Sequence, residues 1–154
     1  MKFAETAFKL FGDRVKYWTT FNEPMVVVEG QYLYEFHYPK LVDGEKAVQA
    51  MYNINLASAK AIKRFRELGC TEDGGKIGIV LNLTPAYPRS NNKDDLYASK
   101  VADTIFNYSF LDPAVKGEFP SLLINLLKED NILWESTEEE LQIIKDNTNR
   151  FLRS

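Results

Sequence analysis

One carboxylic acid in the sequence stands where a strand is expected to end. Glu23 follows the β-prone run at residues 15–21 and Asn22, and Pro24 comes directly after it. A carboxyl group in an apolar, aromatic-walled pocket has a raised pKa, because burial disfavours its charged form, and it can then donate a proton to a leaving oxygen. The Asn22 amide offers a donor and an acceptor that suit a sugar hydroxyl. These two residue types indicate acid–base chemistry on a sugar, although a glutamate at a strand end is more often a cap or surface residue.

Pro24 is expected to set the direction of this acid. Proline has no N–H for a strand ladder and disfavours helical backbone in the residue before it. We therefore predict that Glu23 has an extended backbone and that residues 24–43 form a long loop. Loops of this length commonly line functional sites. His37 and the aromatic residues around it are interpreted either as a lining of the site or as ordinary packing contacts.

Hydrophobic patterns predict the elements that must position these residues. Two short apolar runs, 15–21 and 76–82, are typical of strands. The predicted helices cover residues 3–11, 44–68 and 94–108, and two shorter ones begin at Pro120 and at Thr137, the latter with a Thr137/Glu140 capping box. Strands separated by helices indicate parallel β/α units, so the predicted fold class is α/β, in one unit over residues 1–154.

Bulk composition excludes several classes of function. The 154 residues include 19 basic and 22 acidic ones, with a formal net charge of -3, which gives no electrostatic footprint for nucleic acid or an acidic membrane surface. The single cysteine, Cys70, cannot form an internal disulfide, and no apolar stretch has the length of a signal segment or a membrane span. A cytoplasmic location is therefore expected. No metal-ligand spacing is found, and no cofactor is predicted.

Residues 11–24 read FGDRVKYWTTFNEP, residues 76–82 read KIGIVLN, and residues 110–120 read FLDPAVKGEFP. These segments resemble glycoside hydrolase family 1, which includes β-glucosidases and 6-phospho-β-glucosidases built on a (β/α)8 barrel. The resemblance implies a partial, helix-rich TIM barrel that covers roughly the fourth and fifth β/α units. It also implies that Glu23 is the general acid/base and that Asn22 binds the sugar 2-hydroxyl.

A retaining glycosidase needs a second carboxyl group about 5–5.5 Å from the first. The resemblance implies that this nucleophile lies in a Thr-Glu-Asn-Gly motif on a late strand. The sequence offers only Thr71-Glu72-Asp73-Gly74, which precedes the second strand and is expected at its opposite end. The glutamates at 138–140 are expected to serve a helix start. The next family strand is expected to begin at residues 150–154, where Arg153 and Ser154 replace the glycine and apolar residue of the family pattern.

The chain is therefore expected to be the central, acid/base-bearing fragment of a retaining β-glycosidase. Its substrates would be β-glucosides or 6-phospho-β-glucosides, and it would be inactive alone without the nucleophile segment. Unpaired strand edges predict that it forms a homo-oligomer, pairs with complementing fragments, or rearranges. The alternative is a non-catalytic, self-associating remnant with at most weak sugar binding. Asn82 is interpreted either as a sugar contact or as a cap of the following turn.

Overall fold

A computed structural model of the chain describes residues 2–149. The predicted strand at residues 150–154 lies outside the described residues. The helices are α1 (Lys2–Phe11), α2 (Pro24–Tyr32), α3 (Gly44–Glu67), α4 (Lys93–Asp103), α5 (Ser109–Lys116), α6 (Ser121–Glu129) and α7 (Glu138–Asp146). A π-helical turn, Thr104–Tyr108, joins α4 to α5, and the strands are β1 (Tyr17–Asn22) and β2 (Lys76–Val80). Between residues 2 and 149, no helix has both the length and the apolar character that a bilayer span requires.

The two strands form a parallel pair, as the alternation of strands and helices predicts. Tyr17 pairs with Lys76 at one end, and Asn22 pairs with Val80 at the other. Between Thr19 and Asn22 β1 advances three residues while its partner advances two, so β1 carries a bulge just before its end. The described residues therefore form a helix-rich α/β structure around one short parallel sheet.

Helix α3 is the central support of the fold. The side chain of Asp43 caps its first turn by accepting a 3.0 Å hydrogen bond from the Lys46 amide. The helix predicted at residues 44–68 is confirmed, and its apolar residues form a buried seam that includes Met51, Ala59 and Phe65. The C-terminal end of the seam belongs to a small core cluster between α1, α3 and β2. Its buried members are Phe8, Ile62, Phe65 and Ile77. The rest of the seam belongs to a larger core shared with α5, α6 and α7.

The helix predicted to end near residue 108 instead continues through the π-helical turn and α5 to Lys116. Pro113 lies inside α5 and has no N–H to donate to the carbonyl of Ser109, four residues earlier. The side chain of Asn55, buried on α3, donates to that carbonyl at 3.2 Å. The helix continues past its proline because another helix supplies the missing donor.

The prediction of a long loop over residues 24–43 is wrong for its first part, because Pro24–Tyr32 is helical. Pro24 occupies the first helical position, where its missing N–H costs nothing. Helix α2 packs on α3, and its apolar residues also line two cavities on different sides of it. The apolar residues of α2 therefore do not recur on one face, and its sequence lacks the spacing that identifies a helix. Residues 33–43 then return the chain to α3, and the Asp43 amide donates to the Tyr32 carbonyl at 2.9 Å.

The predicted capping box at the start of α7 is confirmed. The Glu140 amide donates to the Thr137 hydroxyl at 3.2 Å, and the Thr137 amide donates to the Glu140 carboxylate at 3.3 Å. The Tyr52 hydroxyl also donates to this carboxylate at 3.3 Å. Burial, together with the Glu140 charge, raises the pKa of Tyr52 to about 12. The ring of Tyr52 also stacks on Trp134 in the main core, with centroids 5.5 Å apart. The hydrogen bond from Tyr52 to Glu140 therefore joins α7 to that core.

Candidate active site at the strand ends

Glu23 is fixed by its backbone at the carboxyl end of both strands. Its N–H donates to the carbonyl of Val80, the last residue of β2, at 2.9 Å. Its carbonyl accepts from the Val26 amide in the first turn of α2 at 3.0 Å. Glu23 is half-buried. We call the end of the sheet that holds residues 22–23 and 80–82 the rim.

The prediction of an extended backbone at Glu23 is wrong, because its φ of 47° and ψ of 59° are left-handed. Pro24 begins a helix, so the chain must turn from strand to helix within one residue. Pro24 also disfavours right-handed helical backbone at Glu23, and the left-handed conformation makes the turn instead. That conformation costs a residue with a side chain about 1–2 kcal/mol. Such strain is concentrated at functional sites.

The bulge in β1 is anchored from two sides just before the rim. The Thr20 hydroxyl donates to the carbonyl of Gly78 on β2 at 3.2 Å. The hydroxyl of Ser58, buried on α3, lies 2.8 Å from the Thr20 oxygen, and it donates because the single Thr20 proton is already used. Bulges beside active sites redirect the residues that follow them. Here the following residues are Asn22 and Glu23.

Asn22, Glu23 and Asn82 all lie at the rim. Asn22 is the exposed last residue of β1, and Asn82 is exposed two residues beyond β2. Since the strands are parallel, their carboxyl ends meet at the same edge. Asn82 borders a cavity of about 330 Å³ that α2 and the loop after β2 also line. The structure thus puts the three sequence-predicted polar residues at the same end of the sheet, and of these Asn82 lines the cavity.

The other acids considered from the sequence lie elsewhere. Glu72 belongs to the exposed turn that precedes Lys76. Lys76 pairs with Tyr17, the first residue of β1, so Glu72 stands at the end of the sheet opposite the rim. The glutamates at 138–140 occupy the first turn of α7. Within residues 2–149, no group of three His, Cys, Asp or Glu side chains is placed to hold a metal ion.

His37 contacts its own loop and helix α2. Its amide donates to the Gly30 carbonyl at 2.8 Å, and its ring packs edge-on to Phe36 with centroids 4.8 Å apart. Both rings lie against Gly30, where a Cβ would come within 2.5 Å of the His37 ring. Gly30 is thus required for this close approach. These contacts correspond to the packing interpretation of the aromatic segment.

The sequence profile described as Glycosyl hydrolase family 1 matches residues 1–152. The chain belongs to this family. It is 53% identical over 146 residues to the 6-phospho-beta-glucosidase GmuD of Bacillus subtilis (strain 168), covering 95% of this chain and 31% of GmuD. The chain therefore spans about a third of the length of the relatives it matches.

Several solved structures superimpose well on this family 1 chain. Virulence factor SghA from Agrobacterium tumefaciens, also solved with its substrate analog salicin, has a TM-score of 0.83 at 33% identity, covering 94% of this chain and 31% of SghA. Beta-glucosidase from Thermotoga maritima in complex with glucoimidazole has a TM-score of 0.78 at 35% identity, covering 95% of this chain and 32% of that enzyme. The likeness covers nearly all of the described residues.

One acid near the rim was missed from the sequence. Glu29, on α2 of this family 1 chain, lines the same 330 Å³ cavity as Asn82. Partial burial raises the pKa of its carboxyl group above the ordinary value. It was missed because residues 24–43 were interpreted as a loop. Pro24 as a first helical residue was the available signal, since a helix beginning there places Glu29 one and a half turns later.

Proposed function

We propose that this chain supplies the acid/base residue of a retaining β-glycosidase, with Glu23 as the general acid and base and Asn22 as the ligand of the sugar 2-hydroxyl. The observation that supports this most strongly is the position of Glu23. It is held by a strained backbone at the carboxyl end of two parallel strands, beside the exposed amide of Asn22. In (β/α)8 barrels the reactive groups occupy that end. We infer that the two strands are the fourth and fifth of such a barrel.

In the proposed reaction Glu23 acts twice. As an acid it gives its proton to the glycosidic oxygen while the bond from that oxygen to the anomeric carbon breaks and a second carboxylate attacks this carbon. As a base it then takes a proton from the water that releases the sugar. The 154 residues contain no Thr-Glu-Asn-Gly sequence for the second carboxylate. We therefore propose that the chain does not turn over substrate by itself.

The proposed substrates are β-glucosides or their 6-phosphates. The 53% identity to a protein named 6-phospho-beta-glucosidase favours the phosphorylated class. The likeness to SghA, whose substrate analog is salicin, supports plain β-glucosides. We place the activity in the cytoplasm, because the sequence has one cysteine and thus no internal disulfide to maintain.

A chimera tests the role of Glu23 in an active setting. Residues 1–149 replace the matching third of GmuD, and kcat/KM is measured on aryl β-glucosides and their 6-phosphates with poor and good leaving groups. For poor leaving groups, Glu23→Gln is expected to lower kcat/KM by roughly 10²–10⁴-fold, because these need protonation. For a dinitrophenyl leaving group the loss should be far smaller.

Two outcomes would contradict the assignment of Glu23. One is a Glu23→Gln chimera that retains full activity on poor leaving groups. The other is an equal loss for poor and good leaving groups, which would indicate that Glu23 has a structural role. Glu35→Gln, at another left-handed glutamate on an exposed loop, is the matched control. Activity of the isolated chain would show that it contains a second carboxylate of its own.

A second candidate is a non-catalytic chain that self-associates. It is favoured by the exposed apolar surface of the sheet, where Tyr17 is 73% exposed and Val80 is 44% exposed. Within residues 2–149, β1 and β2 pair only with each other, so each has an open edge. Open edges and apolar patches promote association. We propose that the isolated chain forms a homo-oligomer or pairs with complementing fragments through this surface.

A further inference from the structure

Asn107 holds the backbone of the loop that follows β2. It lies in the π-helical turn and is 6% exposed. Its Oδ1 accepts from the Thr84 amide at 2.9 Å, and its Nδ2 donates to the Thr84 carbonyl at 2.9 Å. One side chain thus satisfies both backbone groups of Thr84, as a neighbouring strand would.

Asp103, one turn earlier, extends this contact along the loop. Its Oδ1 accepts from the Ala86 amide at 2.9 Å and from Asn107 Nδ2 at 2.7 Å. Asp103 and Asn107 therefore bind three backbone groups in the loop at residues 81–86, and they also bind each other. We call these two residues the loop clamp. Hydrogen bonds to a charged acceptor are stronger than neutral ones.

The π-helical turn carries Asn107 on the side that faces the loop. Asp103 and Asn107 are four residues apart, so they lie on the same face of the helix. Asn107 is buried against the loop, whereas the neighbouring Ile105 and Tyr108 are exposed. Such turns occur frequently at functional sites. Here the turn lies beside the cavity that Asn82, Thr84, Phe106 and Asn107 all line.

The position of Asn82 depends on this loop. Its exposed side chain makes no hydrogen bond within residues 2–149, so the backbone sets the region that the amide can reach. The loop runs from the end of β2 at Val80 to the contacts of the clamp at Thr84 and Ala86. Asn82 is thus held between two fixed points on the wall of the cavity.

We propose that Asp103 and Asn107 are positioning residues for substrate binding, which they affect by holding Asn82 at the rim beside Glu23. This rests on the proposed function, because it takes the rim as a β-glucoside site. The clamp does not touch substrate. It holds the backbone that carries the Asn82 amide, so the amide stays within reach of a sugar at the rim, which preorganises the site.

Asn107→Asp tests the clamp with no change of side-chain shape. A carboxylate then replaces the Nδ2 donor and faces both the Thr84 carbonyl and the Asp103 carboxylate, so the contact becomes repulsive. Amide hydrogen exchange measured by NMR on the 154-residue chain should become about 10-fold or more faster at Thr84 and Ala86. The amide of Phe65 in the core of α3 should be unaffected. Asn125→Asp, at an exposed position of α6, is the control.

In the double variant Asp103→Asn/Asn107→Asp the two carboxylates no longer repel each other, but the Thr84 carbonyl still faces an acceptor at residue 107. Protection of Ala86 should therefore recover in part, and more than that of Thr84. Exchange that is the same in the wild type and in Asn107→Asp would overturn the clamp itself.

Binding of aryl β-thioglucoside and its 6-phosphate, which resist hydrolysis, supplies the functional readout. The Kd should rise about 5-fold or more in Asn107→Asp. Faster loop exchange with an unchanged Kd would overturn the positioning role. A wild-type chain that binds neither probe would overturn it for this chain as well. The acid/base role of Glu23 is decided separately, by the Glu23→Gln chimera.

Discussion

The side-chain amide of Asn55 donates a hydrogen bond of 3.2 Å to the carbonyl of Ser109, the one acceptor that Pro113 cannot serve. The contact joins α3 to α5 at a buried point. It explains why a polar residue stands in the apolar seam of α3. It also explains how a proline is tolerated inside a helix, since the carbonyl it leaves without a helical partner is satisfied from outside.

Asn55→Leu should destabilise the chain by about 2 kcal/mol, because a buried carbonyl loses its donor. In a Pro113→Ala background the same change should cost about 1 kcal/mol less, since the introduced alanine would supply the N–H that the Ser109 carbonyl lacks. Urea unfolding of the four proteins measures this coupling. Asn125→Leu, on the exposed surface of α6, is the control. Equal costs in the two backgrounds would show that Asn55 and Pro113 are not coupled.

Replacing Glu23 should reveal the strain in its backbone. Glu23→Gly relieves about 1–2 kcal/mol of left-handed strain, part of which is lost to the greater freedom of glycine in the unfolded chain. We expect a net gain of roughly 0.5–1 kcal/mol in the free energy of unfolding. Glu23→Ala, which removes the carboxylate but keeps Cβ, should give no such gain. Glycine and alanine variants of equal stability would contradict this account.

Acid should weaken the link between α1 and α3. Arg64 on α3 lies 2.7 Å from Glu5 on α1, and its hydrogen bond, aided by Lys9, lowers the pKa of Glu5 from 4.5 to about 2. A lowered folded-state pKa means that the contribution is fully present above pH 4.5 and is lost as the pH falls through 2. The free energy of unfolding should therefore fall more steeply over this range in the wild type than in Glu5→Gln.

Arg64→Gln should flatten the same pH dependence only in part, because Lys9 still pairs with Glu5. Adding Glu5→Gln to Arg64→Gln should remove the remainder. Urea unfolding at several values between pH 5 and pH 2 measures the slopes. If Glu5→Gln and the wild type lost stability in parallel over that range, the pair would have no role in acid sensitivity.

The isolated chain should self-associate through the exposed face of its sheet. Light scattering is expected to give a mass of at least two chains that rises with concentration. Tyr17→Lys should shift the mass towards one chain, because lysine on an open strand resists pairing. Tyr87→Lys is the matched control, since Tyr87 is equally apolar and 86% exposed but lies in a loop. A compact monomer at all concentrations would exclude association by this surface.

The regular elements could be predicted from the sequence where a single periodic face meets a single core. Helix α3 has its apolar residues on one stripe, so its bounds were predicted to within one residue. The capping box of α7 needs only local chemistry, and it was also predicted. The rim followed from the parallel order of the strands, because Asn22 is the last residue of β1 and Asn82 lies two residues beyond β2.

The wrong predictions concern places where tertiary contacts replace a local rule. Helix α2 has apolar neighbours on several sides, so it lacks the period that identifies a helix. The prediction that a helix ends at residue 108 is wrong, because the helix continues through Pro113. Asn55, distant in sequence, supplies the hydrogen bond that this proline cannot donate. Within the same predicted helix, Ile105 and Tyr108 lie in the π-helical turn and are exposed.

The turn at residues 71–74 lies at the far side of the sheet from Glu23 and is exposed throughout. At Gly74 a Cβ would meet nothing within 4 Å, whereas at Gly75 it would collide with the Cys70 carbonyl at 2.2 Å. Foreign residues inserted between Asp73 and Gly74 would therefore extend into solvent. A fluorophore or epitope placed there would label the chain without contacting a molecule bound at the rim, which lies at the opposite end of the sheet.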